Sequence, residues 1–409
     1  MPKINIKHIG PITDTGEIVV TPVMLIIGKQ STGKSTFMKI LCFCRWMEKR
    51  IMLEGEEQLR KYTHYSRFLK ELRSFHRFDE VYFDDNSEIH YDGDCVKIDL
   101  MGISKNAKIM RKSNFKVDRY NTKISYIPSD RNLASTIQNI DKAYKSSDFD
   151  SIFNYFWEFD EAKKNYTVDR PIGMPFDDQM EYYYDKDTGT DKVRLKNVDK
   201  TLSLAYASSG VQSALPVRVM VDYFTNQIGE SPKYSKNDIN NLIAKIILDR
   251  NGSKSDKDLF TVDLRPISNM IKYKSAQLYL EELEENLFPE SQFEMVKSIM
   301  SSIRSASERG KSDSYVVMTT HSPYVLTSIN MMIKAARAYV VDKEKTTNVV
   351  PADVILQEKD FSAFLMDNGG MTDIIDHEYG FICGDFLDGV SDFLSDKTSA
   401  LDNIIYNEN

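Results

Sequence analysis

The chain is poor in the features that mark membrane, secreted and metal-stapled proteins. Only four cysteines occur in 409 residues, Cys42, Cys44, Cys95 and Cys383, and they are scattered. Cys42 and Cys44 form a C-x-C pair on an expected helix, but no second Cys or His pair completes a zinc site. The four are therefore read as reduced core or helix-face residues of a cytoplasmic protein. No apolar run reaches the ~20 residues that span a bilayer. The opening residues MPKINIKHIG alternate like a strand and show no apolar h-region of a signal peptide. Long heptad runs and internal repeats are also missing, which excludes a long coiled coil and a solenoid. What is left is a composition of 41% hydrophobic and 28% charged residues, ordinary for a globular protein. The length fits one large folded body with one or two elaborations.

Charge is unevenly placed around a net value of −8. From Asp353 to Asn409 there are 13 acidic residues and two basic ones, Lys359 and Lys397. The same stretch holds Phe361, Phe364, Leu365, Phe381, Phe386, Leu387, Phe393 and Leu394, so it has apolar groups to bury and is expected to fold. Residues 105–123 carry seven basic residues against one acid, Asp118. Such a stripe can lie along phosphates. Its aromatics are not interleaved for base stacking, and a solvated hairpin face is the preferred reading.

The strongest local signal is LIIGKQSTGKSTFMKIL, residues 25–41. Gly28 to Ser35 fits G-x-x-x-x-G-K-S, the spacing of a loop that cradles phosphates. An apolar strand precedes it and an apolar-periodic helix follows, the context such a loop needs. Gly28 and Gly33 permit the tight backbone, and the N–H groups of Gln30, Ser31, Thr32 and Thr36 border the phosphates. Lys34 supplies a point charge and Ser35 a hydroxyl ligand for Mg²⁺. The expected ligands are the phosphates of a nucleotide and Mg²⁺.

Four further stretches carry polar groups where strands or helices end. ASSGVQS (207–213) is a Ser-Ser-Gly turn opening a helix, and alone it could be an ordinary N-cap. LYLEELEENLFP (278–289) is an apolar strand ending in Glu281 and Glu282. Beside a phosphate-binding loop, one such carboxylate can hold Mg²⁺ and a second can polarise water. Glu284 and Glu285 read as an exposed acidic turn. SYVVMTTHSPYVL (314–326) is a buried strand ending in His321, a candidate γ-phosphate contact. KISYIPSDRN (123–132) ends in Asp130 and Arg131, for which a turn ion pair and a catalytic role are both open.

Taken in order, P-loop, S-S-G-x-Q, strand-E-E and strand-T-H-S resemble the ABC-type ATPases. The nearest branch is the RecF/SMC-like one that includes the stand-alone bacterial AAA15/AAA21 ATPases. E-E-x-E-x-N-L-F-P resembles that branch's E-E-P-E-x-x-L-x-P, and Y-I-P-S-D-R-N its Y-x-P-A-E-R-N. The resemblance runs from residue 1 to about 345 and implies that the nucleotide is ATP. It implies that Glu281 takes the Mg²⁺-side role, Glu282 the general-base or water-orienting role, and His321 that of the switch histidine. It implies that Ser208, Ser209, Gly210 and Gln212 are signature residues that reach a partner's γ-phosphate, so that ATP closes a homodimer or higher homo-oligomer. Three departures stand out: Glu281 where many relatives have Asp, Leu283 for the usual Pro, and Ala207 for the usual Leu.

The implied fold is α/β, a P-loop NTPase of ABC-ATPase type, with a mixed central sheet, an antiparallel β subdomain and a helical insertion. The expected divisions are an N-terminal ATPase lobe (1–132), a helical or irregular insertion (133–200), a C-terminal ATPase lobe (201–345) and an acidic extension (346–409). Helices are expected over 55–78, 235–250, 265–275, 290–309 and 322–336, and a last strand at ARAYVVD, residues 336–342. Gly210 and Glu281 are 71 positions apart, unlike a transporter domain, and no membrane partner is expected. Asp92-Gly93-Asp94 and Asp148-Phe149-Asp150 have D-x-D spacing, but in loop or helix-start context, so no nuclease is expected in this chain. Similar stand-alone ATPases accompany an effector, a nuclease or toxin, in bacterial anti-phage systems of the PARIS and Septu types. The resemblance therefore implies a sensor or scaffold for a separate effector protein. The alternative is a RecF-like DNA clamp, with nucleic acid as the partner.

Overall fold

The computed structural model describes residues 1–54, 56–112, 121–136, 150–230, 272–384, 395–399 and 401. The helices expected at 235–250 and over most of 265–275, and part of the basic stripe, lie outside these residues.

Four short strands open the chain: β1 (Lys3–Ile9), β2 (Ile12–Asp14), β3 (Ile18–Val19) and β4 (Val23–Ile27). All five residues of β4 are buried, as a continuous apolar run demands of a strand covered on both faces. Helix α1 (Lys34–Glu54) follows the loop, then α2 (Glu56–Tyr62) and α3 (Arg67–His76). An antiparallel meander comes next: β5 (Phe83–Asp92), β6 (Val96–Met101) and β7 (Lys108–Arg111). Strand β8 (Thr122–Ile127) runs into a 3-10 turn, Ser129–Asn132, and the single helical turn α4 (Leu133–Thr136).

Helix α5 (Ser151–Lys163) leads to β9 (Ile172–Met174), β10 (Asp177–Asp185), β11 (Thr190–Leu195) and β12 (Lys200–Ser203). These form a four-stranded antiparallel sheet where the sequence reading expects irregular chain. The Asp- and Tyr-rich composition hides a hairpin: Gly189 takes φ +65° at the turn, and Tyr182 faces Val193 across the pair with both side chains buried.

Helix α6 (Ser209–Asn226) precedes β13 (Ser275–Leu280), α7 (Pro289–Gly310), β14 (Tyr315–Thr320), α8 (Pro323–Val341) and α9 (Lys343–Val349). The chain returns to the sheet as β15 (Phe361–Asp367) and β16 (Gly370–Asp373), and a small hairpin, β17 (Ile375–Asp376) and β18 (Phe381–Ile382), follows.

Among the described residues twelve strands make the main sheet, in the order β7-β6-β5-β1-β2-β16-β15-β4-β14-β13-β8, with β3 on β1. Strands β15, β4, β14, β13 and β8 are mutually parallel. One large core packs α5, α6, α7 and α8 on one face, and a second packs α1 and α3 on the other. The mixed α/β fold and its antiparallel half agree with the expected class.

One strand is corrected. Residues 336–341 continue helix α8 instead of forming a strand. Ala335, Ala336 and Ala338 favour helix, and the buried residues Ile329, Met332 and Ile333 keep helical spacing. Val340 and Val341 are left 86% and 88% exposed. The seat beside β4 is taken by Phe361–Leu365, which pairs with Val23–Ile27. The acidic C-terminal stretch thus supplies an interior strand.

Candidate functional site

Parallel pairing decides what meets at the sheet's carboxyl edge. Strand β14 lies between β4 and β13, so the loop after β4, the carboxylates after β13 and the histidine after β14 emerge side by side. A crevice at the carboxyl ends of parallel strands is where open α/β sheets bind ligands.

The loop from Gly28 to Gly33 has the backbone its sequence requires. Ser31 takes φ +62° and Gly33 φ +111°. A Cβ on Gly28 would meet Met366 O at 2.3 Å, so β15 buttresses the loop and only glycine fits. Gln30 and Ser31 are exposed, Thr32 and Ser35 half-buried, Lys34 and Thr36 buried. Lys34 Nζ donates to Gly28 O (2.9 Å) and Lys29 O (2.7 Å), and Thr32 Oγ1 donates to Lys29 O (2.9 Å). Burial lowers the Lys34 ammonium from its ordinary pKa, and Glu282, Glu284 and Glu281 pull the other way. Loop lysine and carboxylate turn therefore share one electrostatic neighbourhood.

Glu281 is 5% exposed. Tyr126 Oη donates to its Oε1 (2.5 Å) and the Ser129 N–H to its Oε2 (3.1 Å). Each oxygen keeps a lone pair. Ser35 and Glu281 are hard oxygen donors of the kind Mg²⁺ takes. Glu282 has φ +45°, and its N–H donates to Thr319 Oγ1 (3.2 Å). Its carboxylate stays accessible, and Oε1 lies 3.7 Å from His321 Nε2. Leu283 is 1% exposed, so its side chain belongs to the core.

Two glutamates read as an exposed turn have specific partners instead. Glu284 accepts from Thr320 Oγ1 (2.8 Å) and from the His321 N–H (2.5 Å), fixing the backbone that carries the histidine. Glu285 Oε2 lies 3.4 Å from Arg131 Nη2, and burial raises the Glu285 carboxyl's pKa against the pull of Arg131. Arg131, 1% exposed, donates to Glu281 O (2.6 Å) and Glu282 O (2.7 Å). The signal for these roles was only an Arg at a strand end and two more Glu after the first pair.

Ser208 stands at the N-cap of α6 with no capping hydrogen bond from its side chain, and Ser208 and Ser209 are exposed. Gly210 packs under the carboxylate turn, where a Cβ would meet Asn286 O at 2.7 Å. Gln212 Nε2 donates to Ala205 O (2.9 Å) and Leu204 O (3.2 Å), holding the turn ahead of the helix. Of the two D-x-D runs, Asp92 pairs with Lys97 and Lys112, Asp94 with Arg45, and Asp150 caps α5 by accepting from the Phe153 N–H.

A phosphate-binding loop with two strand-end carboxylates and a histidine on neighbouring parallel strands defines a P-loop ATPase. The family model described as an AAA ATPase domain (AAA_15) matches residues 79–326, more than half of the chain, and the chain belongs to that family. The match takes in YIPSDRN, the signature-like turn, the carboxylate strand and His321. No curated protein matches. Similar solved structures include an SMC head bound to the C-winged helix domain of ScpA (12% identity, 91% of this chain and 96% of that one, TM-score 0.39). The SMC head domain from Thermotoga maritima has 11% identity over 91% and 97%, with TM-score 0.36. The recombination mediator protein RecF has 10% identity over 91% and 97%, with TM-score 0.31. Among the described residues, no helix is long and apolar enough to cross a membrane.

Proposed function

We propose that this ATPase closes into a dimer around ATP and works as a sensor or scaffold that controls a separate effector protein. The observation that carries the catalytic part is the split between the two strand-end carboxylates. Glu281 is buried and held by Tyr126 and Ser129, while Glu282 is accessible beside His321. A held carboxylate suits a metal, and a free one suits water. Ser35 and Glu281 would hold Mg²⁺, which neutralises phosphate charge when bound. Glu282 takes the proton of, or orients, the attacking water, with His321 beside it. Lys34 leaves its two carbonyls for the phosphates.

The uncapped N-terminus of α6, with exposed Ser208 and Ser209, offers N–H groups and a positive dipole end. In the dimer it meets the γ-phosphate bound to the partner, so nucleotide joins the two chains. The energy of turnover then goes into opening and closing, which suits control of an effector, as in the anti-phage systems the motifs resemble.

The DNA-clamp alternative is weakened by the described part of the basic stripe. Arg111 donates to Ile51 O and Lys112 pairs with Asp92, so among its described basic residues Lys105 and Lys108 are exposed and Arg111, Lys112 and Lys123 are half-buried. The test is retrieval of tagged Glu282→Gln from its host with ATP. A stoichiometric protein partner without nucleic acid supports the scaffold. Duplex DNA held in ATP and lost in ADP contradicts it.

A further inference from the structure

Helix α6 contains Pro216. Proline has no N–H, and its ring pushes away the carbonyl four residues back. The carbonyl of Gln212, one turn into the helix, therefore loses its helical donor. Ser135 Oγ donates to Gln212 O at 2.8 Å, and Arg131 Nε donates to the adjacent Ser213 O at 3.0 Å. Both donors come from the segment 129–136 that follows β8. The carbonyl left without its helical donor is thus met by a donor from another element.

The rest of the Arg131 fork points at the carboxylate turn. Nη1 donates to Glu281 O at 2.6 Å and Nη2 to Glu282 O at 2.7 Å. Glu285 balances the charge. A second tie joins the same two elements: Asn286 Nδ2 donates to Ser213 Oγ at 3.0 Å. The guanidinium is planar and rigid, so it fixes the distance between the groups it bridges in a way a flexible ammonium does not. Glu282 needs such holding. Its φ of +45° is a left-handed backbone that a non-glycine residue keeps only when its surroundings impose it.

We propose that Arg131 is a positioning residue that couples the signature helix to Glu282, so that α6 engaging one nucleotide sets the water-activating carboxylate at the other. A displacement of α6 must carry the Ser213 carbonyl with it, and through the fork the peptide groups of Glu281 and Glu282. The proposal rests on the reading of Glu282 and residues 208–212 given above. It adds the mechanical link between the two halves of the composite site.

The test is steady-state ATP hydrolysis by the full chain carrying Arg131→Lys, which keeps the charge and loses the fork. Asn286→Ala is measured beside it, because it cuts the second tie without stranding a buried charge. ATP dissociation constants are measured separately by calorimetry. The expected kcat of Arg131→Lys is lower by about 10- to 100-fold, the cost of a displacement on the order of an ångström. Asn286→Ala should lose about threefold or more, while neither dissociation constant moves by more than about threefold. A purely structural role would lower the unfolding midpoint and leave kcat per folded molecule intact. Either folded variant with kcat within about twofold of the parent overturns the proposal, and if Arg131→Lys does not fold, Asn286→Ala decides. Glu282→Gln is run in parallel. If it turns over normally, the reading of the site has failed. If it is inactive while the other two are normal, only the coupling has.

Discussion

Glu284 has the clearest unassigned work of any single residue. It accepts from Thr320 Oγ1 and from the N–H of His321, so it sets where that histidine stands relative to Glu282. Glu284→Ala should lower kcat by about 10-fold, in the range found when an orienting group is lost, with ATP affinity nearly unchanged. Hydrolysis rates and equilibrium nucleotide binding check it together, and an unchanged kcat would remove Glu284 from the site. The sequence displayed Lys34, Ser35 and the Glu281–Glu282 pair because their chemistry depends on contiguous residues at fixed spacing. It displayed Glu284, Glu285 and Arg131 without their partners, which lie on other elements: Arg131 meets Ser213 and Glu281, far away in the chain, only after the sheet has formed. A Pro inside the signature helix was a visible cue, since a freed carbonyl has to be satisfied by some other donor.

At the scale of elements, strand–loop–helix at 23–54 was legible because period and turn chemistry agree. The last strand was not, and helix α8 shows why. The run ARAYVV mixes alanines that favour helix with Val340 and Val341 that favour strand, and the seat beside β4 is filled by the distant segment 361–367, whose residues Phe361 to Phe364 are all buried. Competition between distant segments for one seat in a sheet leaves no local trace. Phe361 is 4% exposed in the major core. Phe361→Ala should cost about 3–5 kcal/mol, read as a lower urea midpoint. Nucleotide affinity should fall as well, since the same strand ends against Gly28 through Met366. A variant with parental stability would show that β15 is not an interior strand.

Over the whole molecule, the candidate site lies at the carboxyl edge of the parallel half of the sheet, and the antiparallel half flanks it. The carboxyl edge gathers Lys34, Glu282 and His321 within one chain, while Ser208 and Ser209 at the start of α6 are exposed and Ser208 makes no side-chain capping bond. This asymmetry is what a site completed by a second copy would show. Exposed aromatics border it: Tyr206 ahead of the signature turn, Phe288 after the carboxylate turn and Tyr324 after His321, at 83%, 71% and 51% exposure. If ATP joins two chains and Glu282 opens them by driving hydrolysis, the solution mass of purified Glu282→Gln, measured by light scattering in ATP and in ADP, reports it. A mass of at least twice the monomer is expected in ATP and a return to monomer in ADP, with no phosphate released. The same mass in both nucleotides, or parental phosphate release, would contradict it.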